Sequence, residues 1–197
     1  WVKFTNIVWD SDNKGFYYIR FPEVGTVAKE DENNYCRVYW HKLESEQKED
    51  KLIYKNDEKK ELNYRPILSN NDDYLLLSVS KGTATENGIY YRKVDNESEF
   101  SKLFEVMEAE YSFIGNKNNL FYFKTDKNAD KGRIIAIDLS NDEHKQKEIV
   151  SEKEEILEQA FLIEDKFFTV YLTDGSHKIL VYNKDGEVIN ETTTIYK

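Results

Sequence analysis

Residues 68–94 read LSNNDDYLLLSVSKGTATENGIYYRKV, and no other stretch limits the fold as strongly. A polar turn of Ser69, Asn70, Asn71, Asp72 and Asp73 runs into an apolar, β-prone segment, 74–79. A polar loop, 80–86, separates it from a second β-prone segment, 89–94. Two such segments around a loop with Gly82 and Gly88 predict a β-hairpin.

The rest of the chain reads as variations on this unit. Strand-like segments fall at 4–9, 15–21, 37–43 and 51–54, then at 65–68, 74–79, 89–94 and 101–106. They continue at 110–114, 120–125, 133–139 and 147–150, and at 157–163, 166–172, 178–183 and 188–193. In the segment 15–21, Phe16, Tyr18 and Arg20 alternate with Tyr17, Ile19 and Phe21, so apolar bulk lies on both faces. That pattern belongs to a strand covered on both sides. The second strands begin near Phe16, Tyr74, Leu120 and Phe167, an irregular repeat of about 50 residues. Four strands per repeat at that spacing predict an all-β fold of β-propeller blades, about four of them, each four-stranded and antiparallel. The expected blades are 4–55, 64–106, 109–150 and 156–193. Only 151–159 admits a helical reading, and a loop or one short turn is expected there.

A propeller blade alternates strand direction. The second-to-third and fourth-to-first connections therefore open on one face of the ring. The long segments 22–34 and 80–86 fall there, as do 56–64 and 107–109. Loop elaboration on one face marks it as the expected functional face.

Composition narrows the partners. The chain has 197 residues, 39% hydrophobic and 34% charged, and its formal charge is −10. An acidic chain gains no counterion-release affinity for nucleic acid and is repelled by anionic membranes. No apolar run reaches the ~20 residues of a spanning helix. Neither nucleic acid nor a membrane is an expected partner. Cys36 is the only cysteine, so no internal disulfide and no thiolate metal site is available, and a cytoplasmic setting is expected. The chain opens on Trp1 without Met and runs straight into strand-like sequence, as an excised piece of a longer protein would.

Catalytic and metal patterns fail on their spacing. No G-x-S-x-G elbow is present. Ser176 beside His177 cannot form a nucleophile–base pair from adjacent positions, and Asp174-Gly175 predicts a hairpin turn. The run 10–15 opens like a calcium loop, but Phe21 stands where the bidentate acid belongs; 126–130 fails likewise, with Ile137 in that place. His41, His144 and His177 are scattered, and packing or exposure is expected for each. Cys36 is expected to be an inert small residue, and the charged clusters 44–51 and 141–148 solvated turns. No catalytic residue, metal ligand or cofactor is assigned.

The ordered pattern nonetheless resembles one family. Phe4 with Ile7-Val8-Trp9-Asp10, then Lys14-Gly15-Phe16-Tyr17-Tyr18, Tyr39-Trp40-His41 and Leu68-Ser69 with Tyr74-Leu75-Leu76-Leu77-Ser78 carry the likeness. Glu110-Tyr111, Phe121-Tyr122-Phe123-Lys124-Thr125 and Ile135-Ala136-Ile137-Asp138 extend it. Together they resemble the propeller domain of the prolyl oligopeptidases, serine peptidases that cut short peptides after proline. The resemblance implies a seven-bladed propeller over an α/β-hydrolase domain, of which this chain supplies about four blades. The catalytic Ser, Asp and His belong to the hydrolase domain, so this chain is expected to be non-catalytic and to act as a size filter. It also implies that Phe4, Asn63, Ser80, Lys81 and Thr83 line the substrate cavity. There the chain departs from the animal-type pattern, which has an apolar residue in place of Asn63 and a basic residue and a cysteine near Ser80 and Thr83.

The partners so implied are short proline-containing peptides and the chain's own hydrolase domain. Terminal blade faces left unpaired in such a piece would drive self-association or a tighter ring closure. The alternatives are a stand-alone protein-interaction propeller without peptidase activity and a complete four-bladed carbohydrate- or metal-binding module. A downstream G-x-S-x-G in the parent gene separates the first reading from these.

Overall fold

In the computed structural model, which describes residues 2–95, 99–141, 143–173 and 175–194, strands dominate. Trp1–Glu108 and Ala109–Lys197 form two compact units. Among the described residues, the N-terminal unit holds two four-stranded antiparallel sheets. The first is β1 (Val8–Trp9), β2 (Gly15–Arg20), β3 (Arg37–Lys42) and β4 (Lys51–Tyr54); the second is β5 (Leu62–Leu68), β6 (Tyr74–Lys81), β7 (Asn87–Lys93) and β8 (Ser101–Phe104). The C-terminal unit holds β9 (Tyr111–Lys117), β10 (Leu120–Thr125), β11 (Arg133–Asp138) and β12 (Gln146–Val150), then β13 (Ile156–Ile163), β14 (Lys166–Thr173), β15 (Ser176–Tyr182) and β16 (Val188–Thr194). Every sheet is a simple meander in chain order. Short 3-10 turns occur at Lys29–Asp31 and Gln47–Glu49.

The repeat is visible in a detail of register. In each sheet the pairing of the third strand with the fourth skips one residue on the fourth: Ile53, Leu103, Ile149 and Ile189 in turn. A bulge of this kind bends and twists the outer strand, so the same outer-edge twist is built four times.

Alternation then decides which face is dry. In the N-terminal unit Ile19 and Val38 from the first sheet, with Phe21 and Cys36 at the two ends of its β2–β3 loop, meet Leu62, Tyr64, Leu77, Val79 and Tyr90 from the second. In the C-terminal unit Tyr122, Ile134, Ala136 and Val150 meet Leu157, Phe167, Tyr171, Leu180 and Tyr182. The hairpin tip between β15 and β16 seats on β12. A Cβ on Gly186, whose φ is 86°, would lie 1.8 Å from the Ile149 carbonyl oxygen, so this contact admits no side chain.

Some expectations need correction. The first strand covers only Val8–Trp9 instead of starting at Phe4. Phe4 has φ 52°, outside the extended region, and the Ile19 amide donates to Thr5 Oγ1 at 3.0 Å instead of continuing the ladder. Strand β5 starts three residues before Arg65, and tolerates Pro66 because it is an edge strand. Residues 151–155 form no helix, and Ile156 already opens β13. Asp50, expected in a solvated turn, has a fully buried side chain that accepts a hydrogen bond from Tyr18 Oη and pairs with His41 Nδ1 at 2.7 Å. The partners sit on β2 and β3, far enough along the chain that only the folded sheet brings them to it.

Candidate functional site

Asn63, Ser80, Lys81 and Thr83 gather at one end of the second sheet. Asn63 pairs directly with Ser80, and Leu62 with Lys81. Direct cross-strand partners share a sheet face, so Asn63 and Ser80 lie side by side, opposite the face that carries Leu62 and Tyr64 into the core. Gly82, with φ 57°, turns the chain, Ala84 N donates to Lys81 O at 3.1 Å, and Thr83 is exposed in the turn.

Phe4, in the segment that precedes β1, joins this edge through the contacts of its neighbour Lys3 with the β2–β3 loop. In this chain it is 82% exposed and does not enter the core of the N-terminal unit. Its ring stands edge-on to the buried Phe21 at 6.4 Å between centroids. Lys3 donates to Glu32 O at 2.8 Å and Asn33 Oδ1 at 2.6 Å, and its ammonium lies 5.2 Å from the centre of the Phe21 ring.

A chain of contacts joins these positions. The β2–β3 loop, 21–36, is bound to the β4–β5 connection by Tyr35 N to Lys60 O at 2.7 Å and by the Lys60–Asp31 pair at 2.7 Å. Lys60 holds the Asp31 carboxyl below its ordinary range. In the same connection Glu61 pairs with Lys81 at 3.3 Å. Contacts thus run from Lys3 through the loop and Lys60-Glu61 to Lys81. Within the N-terminal unit the β2–β3 loop and the β4–β5 connection meet here. Lys3, Asp31, Lys60 and Glu61 carry no signal in the sequence, because they are ordinary charges in polar segments and only the fold chooses their partners.

Beside this edge lies a cavity of about 680 Å³, walled by Arg20, Phe21, Tyr35, Arg37, Tyr39 and Asp57 with the loop backbone. Arg20 stacks on Tyr39 at 3.7 Å. Arg37 pairs with Asp57 at 3.2 Å, and Asp57 is held ionised mainly by Lys55.

The remaining candidates are accounted for locally. Asp10 accepts from Gly15 N at 3.1 Å and Trp40 Nε1 at 3.1 Å, and Asp126 accepts from Glu110 N at 2.7 Å, as turn carboxylates do. Ser176 Oγ lies 2.6 Å from Thr173 Oγ1, whereas His177 Nε2 lies 3.0 Å from Glu158. Asp174, half of the expected hairpin turn, lies outside the described residues. Burial lifts the Cys36 thiol from 9.0 to about 11, which disfavours the reactive thiolate. No three His, Cys, Asp or Glu side chains gather to hold a metal ion among the described residues.

Comparison with known proteins gives one consistent answer. The family model of the prolyl oligopeptidase N-terminal beta-propeller domain matches residues 1–197. Prolyl oligopeptidase A of Galerina marginata is 29% identical over 197 residues, covering 94% of this chain and 27% of that protein. The dual function macrocyclase-peptidase POPB of the same organism is 31% identical over 195 residues, covering 94% and 26%. The solved structure of prolyl oligopeptidase B from Galerina marginata, bound to a 35mer hydrolysis and macrocyclization substrate, superposes with a TM-score of 0.90 at 29% identity. That match covers 98% of this chain and 28% of that one. The chain thus spans about a quarter of the length of the relatives it matches.

Proposed function

This chain belongs to the prolyl oligopeptidase N-terminal β-propeller family, and from that premise we propose that it gates and helps line the substrate cavity of a serine endopeptidase that cleaves short peptides after proline. The observation that carries the reading is the match over residues 1–197, in which sequence and fold agree. The chain itself is non-catalytic: acyl transfer needs a nucleophile, a base and an oxyanion hole, and the chain has no G-x-S-x-G elbow to supply the first. Its partners are the peptide and an α/β-hydrolase domain of the same protein.

In this reading the edge from Phe4 to Thr83 faces the cavity. Phe4 offers an apolar ring, while Asn63, Ser80 and Thr83 offer small polar groups and Lys81 a cation held by Glu61. A propeller covering the site admits an extended peptide and turns away a folded protein. A cytoplasmic setting fits the one buried, unpaired thiol. No described helix is long and apolar enough to cross a membrane.

The test is an activity comparison. The longer protein should cleave a short proline-containing peptide and leave the same sequence intact inside a folded host, and this chain alone should give no turnover above buffer. Turnover proportional to the concentration of this chain, or equal cleavage of the folded host, would overturn the proposal.

A further inference from the structure

Phe4 combines a left-handed backbone with an exposed aromatic ring. It is an aromatic residue with φ 52°, in the left-handed region that non-glycine residues seldom occupy, and it is 82% exposed. Burial of its own ring therefore does not compensate the backbone cost. Such a conformation persists where the surroundings over-determine it, and such residues cluster at functional sites.

The restraints act through its neighbours. On one side the Lys3 ammonium donates to Glu32 O at 2.8 Å and to Asn33 Oδ1 at 2.6 Å. On the other, Thr5 Oγ1 accepts from Ile19 N at 3.0 Å, and Asn6 Nδ2 donates to Pro66 O at 3.5 Å. Thr5 and Asn6 are thus fixed to two different sheets, and Lys3 to the β2–β3 loop. Phe21 completes the arrangement, because its ring meets both the Lys3 ammonium and the Phe4 ring. The loop end is itself held, since Asp31 pairs with Lys60 and Tyr35 N donates to Lys60 O.

We propose that Lys3 is a positioning residue, which grips the β2–β3 loop and thereby holds Phe4 out as an apolar contact for substrate. This rests on the reading of Phe4 as a cavity residue given above. The β4–β5 connection takes part through Lys60, so presentation of Phe4 depends on three separate segments of one edge. A lysine suits the task because a single ammonium serves two acceptors on adjacent loop residues and still lies beside an aromatic ring.

The test uses the longer protein with a short proline-containing peptide, comparing wild type, Phe4→Ala, Lys3→Met, Lys3→Arg and the double variant Phe4→Ala/Lys3→Met. Phe4→Ala and Lys3→Met should each raise KM by roughly threefold to tenfold with kcat unchanged, since each removes binding shared by the ground and transition states. The double variant should be no worse than Phe4→Ala, because both changes disable one contact. Lys3→Arg, which keeps charge and donors, should recover most of the loss. Additive effects, or an unchanged KM in Lys3→Met beside a raised one in Phe4→Ala, would overturn the proposal while leaving the cavity role of Phe4 intact. An unchanged KM in Phe4→Ala would instead overturn that role, and with it the purpose assigned to Lys3. Hydrogen exchange supplies a readout independent of turnover: Lys3→Met should speed exchange in peptides covering 2–7 and 29–35 and leave β6 unchanged. Unaltered exchange in both segments would remove the latch whatever the kinetics.

Discussion

His41 Nδ1 lies 2.7 Å from Asp50 Oδ1, and the Asp50 side chain is wholly buried. The other carboxylate oxygen accepts from Tyr18 Oη and lies 4.0 Å from Arg20 Nη1. Gln47 Nε2 donates to Tyr18 Oη at 3.3 Å, which closes a polar cluster on the face of the first sheet turned away from its core. Removing one member of a buried polar cluster strands the others, whereas exposed pairs contribute little. Asp50→Ala should therefore cost about 3 kcal/mol in urea unfolding. On the same turn Lys48 and Glu46 form a pair that is largely exposed, and Lys48→Ala should stay within about 0.5 kcal/mol. Equal effects from the two substitutions would show that the cluster does not carry the stability assigned to it.

Burial makes the folded chain sensitive to alkali. It lifts the Cys36 thiol from 9.0 to about 11, and burial with the Asp50 hydrogen bond lifts Tyr18 from 10.0 to about 12. Both groups are neutral when protonated, and the native state keeps that proton to higher pH than the unfolded chain does. Their contribution is complete below pH 9 and is lost as pH rises, from 9 to 11 for Cys36 and from 10 to 12 for Tyr18. The Cys36 part is on the order of 2 kcal/mol. Subtracting the stability–pH curve of Cys36→Ala from that of wild type isolates it, since the other groups cancel. A difference curve flat between pH 9 and 11 would contradict the shift.

Tyr64 is almost fully buried, and its hydroxyl finds no hydrogen-bond partner among the described residues. A buried hydroxyl without a partner carries a desolvation penalty that phenylalanine does not. The ring itself packs edge-on against Tyr54 at 4.9 Å and would be kept. Tyr64→Phe is expected to leave stability unchanged or raise it by up to about 1 kcal/mol, read as a shift in the urea midpoint at constant slope. A loss of more than that would reveal a partner for the hydroxyl.

The central strands were legible because both of their faces are apolar. Tyr74-Leu75-Leu76-Leu77 in β6 and Phe121-Tyr122-Phe123 in β10 admit few other readings, and the turns before them announce their starts. Strand ends at the sheet edge were not legible. Nothing local tells that Thr5 offers its side chain to Ile19 in place of backbone, or that Phe4 leaves the extended region. The burial of Asp50 escaped for a related reason. Its partners Tyr18 and His41 lie on two other strands, and in a run as acidic as 44–50 solvent is the default for every carboxylate. The candidate edge was half legible. Loop length located the two connections, but the pairing of Lys3 with the β2–β3 loop, and of Asp31 with Lys60, selects a few charges from many equivalent ones.

One face of the fourth sheet carries exposed and half-buried apolar side chains. In β13, Phe161 is 49% exposed and Ile163 54%, and across the register Phe161 faces Phe168, which in turn faces Val181. These residues alternate with Phe167 and Leu180, which enter the core on the other face. The bulge position adds to the contrast. Ile53 and Ile149 each pack against the core of their unit, whereas Ile189, their counterpart in β16, is 51% exposed. An aromatic and aliphatic face of this kind is seldom left open to water. Prepared by itself, the 197-residue chain should therefore self-associate, with a weight-average mass in sedimentation that rises with concentration. Phe161→Lys should weaken that association at least tenfold, because a cation on the face must be desolvated in any dry contact. Tyr64→Phe, inside the N-terminal core, serves as the control and should leave association unchanged. A monodisperse monomer at all concentrations, or an association indifferent to Phe161→Lys, would sink the assignment of this face.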